Sequence, residues 1–300
     1  MENNKINFNK YFKLFNIFSI LLIIFSIALL LFKGLNYGVD FKGGTLIELR
    51  AIDKQITISQ LRQSFLNMNL GDVSVKEFGK NNDFLIKFEK KENNNNNLIV
   101  QIKEDLTKSV GPGFNFRRVE NVGPKVSSEL LRSGVIAIGL SLLAMLIYIW
   151  IRFEWQFSIG AILALFHDVL LTLGIFSLFS LEINLSIVAA VLTIVGYSMN
   201  DTVVIFDRVR ENLKKFSDIK IFDLTNISIN ETLSRTIITS VTTLLALISI
   251  YVFGGEILKG FSLAMILGVI FGTYSSIYIA NPILIYLNVS QKTILREDKN

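Results

Sequence analysis

Six long apolar runs constrain this chain more than any other feature. They are Leu14–Phe32, Ser133–Ile151, Gln156–Phe179, Ile183–Phe206, Thr236–Phe253 and Phe261–Leu287. Each approaches or exceeds the roughly 20 residues with which a helix crosses a bilayer at about 1.5 Å per residue. In hydrocarbon a segment must satisfy its own backbone N–H and C=O groups, so runs of this length read as transmembrane helices. Charged residues make up 18% of the 300. Soluble domains carry about 25%. The expected fold class is a polytopic α-helical membrane protein with six transmembrane helices.

The chain has no cysteine and one histidine, His167. Disulfide frameworks, thiolate metal sites and cysteine nucleophiles are thereby excluded, and no histidine cluster exists for zinc. No metal and no cofactor is expected. The net charge of +5 is read as lysine and arginine fixing membrane topology, not as a nucleic-acid surface.

Lys5, Lys10 and Lys13 precede the first run, as in a signal peptide. That run is long for a signal core and no A-x-A site follows it, so it reads as an uncleaved anchor. The short loops set orientation. Thirteen basic residues fall on one side: those three, Arg152, Arg208, Arg210, Lys214, Lys215, Lys220, Arg235, Lys292, Arg296 and Lys299. The short loops opposite carry only Lys259. Both termini are thus expected in the cytoplasm, with residues 33–132 outside. The expected divisions are 1–32, the outer domain 33–132, the remaining five helices 133–287, and a cytoplasmic tail 288–300.

The outer stretch has a readable order. Thr45–Arg50 alternates as a strand; Ile58–Met68 has helical spacing, with Ile58, Leu61, Phe65 and Leu66 on one face. Val73–Phe78 and Phe84–Phe88 read as strands joined by a Gly79–Asn82 turn. Leu98–Val110 reads as a helix and Phe114–Val119 as a strand. The sum is βαββαβ, a small extracytoplasmic α+β domain of ferredoxin-like type between helices one and two. The five asparagines Asn93–Asn97 read as a solvated loop.

Function is sought among groups that lipid penalises. A charged side chain at the centre of a spanning helix costs about 2.5–3.5 kcal/mol on insertion scales, and such groups face the bundle interior. The third run holds His167, Asp168 and Thr172. The fourth has Ser186, Thr193, Tyr197, Asn200 and Asp201 at helical spacing, with Thr202 beside them. The fifth opens on Arg235, followed by Thr236, Thr239, Ser240 and Thr243. Turning three polar stripes together makes a hydrated seam. An arginine at the mouth of one helix would reach Asp201 in the next, and a carboxylate that alternately meets arginine and water can carry a proton. Plainer readings stand beside this one. Arg235 alone is a topological anchor, Asp207–Glu211 a charged helix end, and His167 an interhelical hydrogen bonder. The small-residue stripe Gly268, Gly272, Ser276 and Ala280 in the sixth run reads as close helix packing.

Eight segments also resemble a known family. They are GLNYGVDFKGGT (34–45), VGPKVSSEL (122–130), RFEW (152–155), HD (167–168), GYSMNDTVVIFDRVREN (196–212), TLSRTIITS (232–240), FGGE (253–256) and GTYSSIYIANP (272–282). Together they resemble the SecF branch of the SecD/SecF family, within the resistance-nodulation-division superfamily. The resemblance implies pairing with SecD and association with the SecYEG channel and YajC in the bacterial inner membrane. It implies use of the proton motive force to draw unfolded preproteins out on the periplasmic side after the SecA step. It ties Asp201 and Arg235 to proton passage, with His167, Asp168, Asn200 and Thr202 alongside. Membrane lipids are the other expected partner, and nucleic acid is not one. A lone carboxylate with neutral oxygens can hold sodium as well as a proton.

Three rivals define the tests. A half-size proton-coupled exporter of small molecules would expel dyes or drugs with its partner. An intramembrane aspartyl protease would need both carboxylates on one water, and neither aspartate lies in a GxGD motif; no enzyme is expected. A passive scaffold would tolerate Asp201→Asn.

Overall fold

The computed structural model describes residues 6–52, 56–77, 82–89, 95–216, 219–291 and 293. Among them, six helices are long and apolar enough to cross a membrane. The chain divides into two units, residues 37–134 and the remainder.

The smaller unit is an α/β fold. Its strands are β1 (Gly44–Ala51), β2 (Val73–Glu77), β3 (Asp83–Phe88) and β4 (Phe114–Val122), with helices α1 (Ile58–Asn67) and α2 (Asn95–Ser109). The sheet order is β2-β3-β1-β4 and every pairing is antiparallel. This is the expected ferredoxin-like arrangement. Alternation decides the core: Ile47, Leu49, Phe84, Ile86 and Val75 are buried from the sheet, and Leu61, Phe65, Ile102 and Leu106 from the helices. Leu66 corrects the expected helix face. It is 50% exposed because it lies one step beyond Phe65, off the 58–61–65 stripe. A capping box starts α1, with Thr57 Oγ1 accepting from Gln60 N–H and Gln60 Oε1 accepting from Thr57 N–H.

Two glycines set the entry to β1. Gly43 (φ 78°) and Gly44 (φ 129°) lie in left-handed territory. A Cβ on Gly44 would sit 2.7 Å from the Phe88 carbonyl oxygen, so only glycine lets β1 close on β3 there. Of the expected Gly79–Asn82 turn, only Asn82 is described, at φ 77°. The asparagine run departs from expectation: Asn95 already begins α2, while Asn93 and Asn94 lie outside the described residues. First-turn amides need no intrahelical acceptor, and asparagine suits helix starts.

The six long helices are Phe12–Phe32, Pro124–Arg152, Trp155–Leu178, Leu185–Lys215, Ile221–Phe253 and a composite sixth. The sixth runs Glu256–Ser275, then a π-turn Ser276–Ala280, then Asn281–Tyr286. The fifth helix begins at Ile221, well before the expected Thr236, and the fourth continues to Lys215. Both extensions are too polar to read as span, yet they remain helical by packing on each other. Buried shares of 61%, 50% and 50% make the third, fourth and sixth helices the interior, against 11%, 11% and 17% for the first, second and fifth.

Glycine permits the closest approaches. A Cβ on Gly268 would lie 2.2 Å from Ile194 Cγ1, and one on Gly272 3.0 Å from Ser198 Cα. The small-residue stripe of the sixth helix is thus its packing face against the fourth, as expected from the sequence. Ala280 continues it, its carbonyl oxygen 2.9 Å from where Gly160 would carry a Cβ.

Candidate functional site

The polar groups of the interior converge on two carboxylates in different settings. Asp168, halfway along the third helix, is fully buried. Its Oδ2 accepts hydrogen bonds from Ser198 Oγ of the fourth helix (2.6 Å) and Ser275 Oγ of the sixth (2.7 Å). Its Oδ1 lies 2.9 Å from His167 Nδ1, and Thr172 Oγ1 donates to its backbone carbonyl at 2.8 Å. With an N–H on Nδ1, three donors surround one carboxylate. His167 is also fully buried, and its Nε2 has no hydrogen-bond partner among the described residues. The ring stacks on Tyr274 at 5.7 Å between centroids, with Phe271 edge-on at 6.4 Å.

Asp201 is held loosely. It is buried, 4% exposed, near the middle of the fourth helix. Thr273 Oγ1 donates to it at 3.5 Å, the outer limit of such a contact, and Ser240 is a second side-chain partner. Thr273 Oγ1 lies 2.7 Å from Ser240 Oγ of the fifth helix. Next to it, Thr202 Oγ1 meets Ser276 Oγ at 2.8 Å. The two aspartates share no hydrogen-bond partner among the described residues, which gives no support to a pair acting on one water.

Arg235 opens the fifth apolar run but not its helix. The helix starts fourteen residues earlier at Ile221, because the polar segment before Arg235 winds on against the fourth helix. Among the described residues no ion pair joins Arg235 to Asp201. The arginine lines an open cleft of about 430 Å³ with Val204, Asp207, Arg208, Glu211, Glu231 and Thr232. Charges in that cleft pair with one another: Arg208 with Glu231 (2.7 Å) and Glu211 (2.5 Å), and Asn212 Nδ2 donates to Glu231 at 2.7 Å. Arg152 pairs with Asp207 at 3.0 Å, and Arg210 with the buried Glu154 at 3.4 Å. Asn200 is exposed and faces away from Asp201, since adjacent residues on a helix point about 100° apart.

The expected seam of three helices gains a fourth member. Tyr197 Oη donates to the Thr239 carbonyl and Thr243 Oγ1, both at 3.1 Å, tying fourth helix to fifth as the stripes suggest. Thr193, by contrast, is exposed and bonds the carbonyl of its own Ala189. The sixth helix enters through Thr273, Ser275 and Ser276, which sequence reasoning left out along with Ser198. Each is a single hydroxyl of a type that usually bonds its own helix. Only the SS pair within GTYSSIYIANP marks the place.

Comparisons place this geometry among known proteins. Residues 102–290 match the family model for the protein export membrane protein SecD/SecF, C-terminal, and residues 28–51 that for the SecD/SecF GG motif. The latter contains Gly43 and Gly44. A protein translocase subunit SecF from Cereibacter sphaeroides is 43% identical, covering 91% of this chain and 87% of the relative. One from Rickettsia bellii is 45% identical, covering 94% and 93%. The crystal structure of SecDF, a translocon-associated membrane protein from Thermus thermophilus, superposes with a TM-score of 0.85 at 34% identity over 95% of this chain. SecDF in its Super-membrane-facing form gives 0.71 at 33% identity over the whole chain. This chain spans 39% and 41% of those two chains, so they carry a large part that it does not. With two family models across most of its length and full-length relatives above 40% identity, the chain belongs to the SecD/SecF family as a multi-pass SecF subunit of the protein translocase.

Proposed function

We propose that this SecF subunit joins SecD and couples proton flow to Sec-dependent export of preproteins, with Asp201 as the group that gains and loses the proton. The single observation that carries this is the placement of Asp201. It is buried in the middle of an apolar helix, reached by a long hydrogen bond from Thr273 and by Ser240, with the charge of Arg235 acting on it from the next helix without an ion pair among the described residues. A fully satisfied carboxylate is held in one state; a loosely satisfied one changes partners at little cost. In this reading Arg235 is the alternate partner, and the cleft it lines with Asp207, Glu211 and Glu231 is the water-side approach. Asp168, gripped by three donors, is the fixed reference against which the bundle rearranges. Moving one charge through 100 mV is worth about 2.3 kcal/mol, a bias of about fiftyfold on a two-state equilibrium.

Partnership with SecD rests on the SecDF structures, in which the matching region is part of a longer chain. The remaining elements rest on family resemblance and loop charge: cytoplasmic termini, a periplasmic α/β unit handling unfolded preprotein after the SecA step, and association with SecYEG and YajC. The coupling ion is the proton, with sodium as the variant to test.

Export into membrane vesicles, with and without a proton gradient, tests the proposal. Asp201→Asn is expected to abolish the gradient-dependent part of export while the protein inserts and assembles normally. Undiminished gradient-dependent export would leave the chain a scaffold. Replacing the proton gradient with a sodium gradient identifies the ion.

A further inference from the structure

The sixth helix touches both carboxylates. Thr273 donates to Asp201 and Ser275, two residues on, donates to Asp168. Ser276 meets Thr202, and the π-turn begins at that residue. The turn has a local cause. Pro282 has no N–H and its ring displaces the carbonyl four residues back, at Tyr278, so regular α-helical bonding fails just ahead of it. Asn281, fully buried, answers the disruption: its Nδ2 donates to the Ser276 carbonyl at 2.7 Å.

A π-turn is a removable extra residue in the helical winding, and such turns concentrate at functional sites. Shifting it by one residue turns the adjoining helix by about 100° without breaking the rod. Thr273, Ser275 and Ser276 would rotate together, loosening Asp201 and withdrawing one of the three donors on Asp168 in one event, while His167 and Ser198 keep Asp168 in place. The turn also has an outside hold. Tyr278 within it packs on Phe15 at 4.3 Å, Phe12 at 6.2 Å and Phe8 at 6.3 Å.

We propose that the π-turn Ser276–Ala280, set by Pro282 and held by Asn281, is a rotational joint through which Asp201 and Asp168 sense each other. Thr273 and Ser275 are its two contacts, acting as positioning residues. The inference builds on the proposed role of Asp201. A competing route exists: the fourth helix carries both Asp201 and Ser198, and Ser198 also donates to Asp168.

The test is infrared difference spectroscopy of the full chain with its partner subunit in lipid. The Asp168 band is assigned by its disappearance in Asp168→Asn. Asp201→Asn is the perturbation. It is expected to shift the Asp168 band in the otherwise unaltered chain, and to lose that effect in Ser275→Ala, Thr273→Val and Asn281→Ala backgrounds. The conservative Ser275→Thr and Thr273→Ser, which keep the hydroxyls, should restore it, which a merely weakened fold would not allow. A shift that persists in those three backgrounds, or that Ser198→Ala alone removes, overturns the joint. No shift in the unaltered chain does so as well. Vesicle export read separately keeps the two readings apart. Lost band coupling with gradient-dependent export still sensitive to Asp201→Asn sinks only the joint; export insensitive to Asp201→Asn sinks the proton reading whatever the bands do.

Discussion

Asp168 and Asp201 are the same residue type in the same bundle, and their surroundings separate them. Deleting Asp168 would take the acceptor from His167 Nδ1 and Ser198 Oγ and leave Ser275 Oγ only the Gly272 carbonyl, in a site closed to water. Leaving a buried donor unsatisfied costs about 1–3 kcal/mol, and more than one is left here. Asp168→Ala is therefore expected to lower the melting temperature in detergent sharply, and Ser275→Ala to do so by about 1–3 kcal/mol. Asp201→Ala removes the 3.5 Å contact with Thr273 and the interaction with Ser240, whose hydroxyls still bond each other, and should cost about 1 kcal/mol or less. If the two alanine variants melt alike, the contrast between a fixed and a mobile carboxylate is wrong.

Among the elements, the fourth and sixth helices depend on glycine. Gly268→Leu would drive a side chain into Ile194 where even a Cβ comes to 2.2 Å. Overpacking of a core costs about 1–3 kcal/mol, and more when backbones must part. Reduced melting temperature and loss of a disulfide engineered between the two helices would report it. In the smaller unit, Gly44→Ala puts a methyl 2.7 Å from the Phe88 carbonyl oxygen at φ 129°. Faster hydrogen exchange of β1 and β3 amides is the expected result; exchange rates unchanged from the parent would show that the β1 entry tolerates a side chain. These elements were largely legible beforehand. Period-two alternation and helical spacing announce strands and helix, because burial there follows local spacing. The fifth helix was misjudged at its start because Ile221–Arg235 is polar, and what keeps it helical is Asn212 and Arg208 of the fourth helix gripping Ser228 and Glu231.

At the scale of the whole bundle, the chain's beginning is sewn to the fifth helix. Asn230 accepts from Ile6 N–H and donates to Ile6 C=O, both at 2.9 Å, and Asn226 Oδ1 accepts from Phe8 N–H at 2.9 Å. Asn9 Nδ2 donates to the Phe222 carbonyl. At the opposite end, Lys33 Nζ donates to the Leu178 carbonyl (2.7 Å) and Ser177 Oγ to that of Gly34 (2.6 Å), closing first helix on third. Deuterium labelling of the Ile6 and Phe8 amides reads that seam directly. Asn230→Ala removes two backbone hydrogen bonds worth roughly 0.5–1.5 kcal/mol each, so labelling should quicken about tenfold or more. An unchanged rate would show that Phe8 and Phe12 hold the segment without the asparagines.

The sequence by itself determined how many times the chain crosses the membrane, the βαββαβ order of the smaller unit, and which helices carry Asp168, Asp201 and Arg235. All three follow from local composition, since hydrocarbon punishes each buried charge and each unpaired amide wherever it falls. It took the packed bundle to show that Ser198 and Ser275 close on Asp168, that Thr273 and Ser240 reach Asp201, that Arg235 acts on it without an ion pair among the described residues, and that Asn200 faces out. A helical serine or threonine can always turn back to its own carbonyls, so its spacing carries no signal about a distant partner. That choice is made by helix rotation, and here a π-turn forced by one proline and close contacts opened by glycine set the angle.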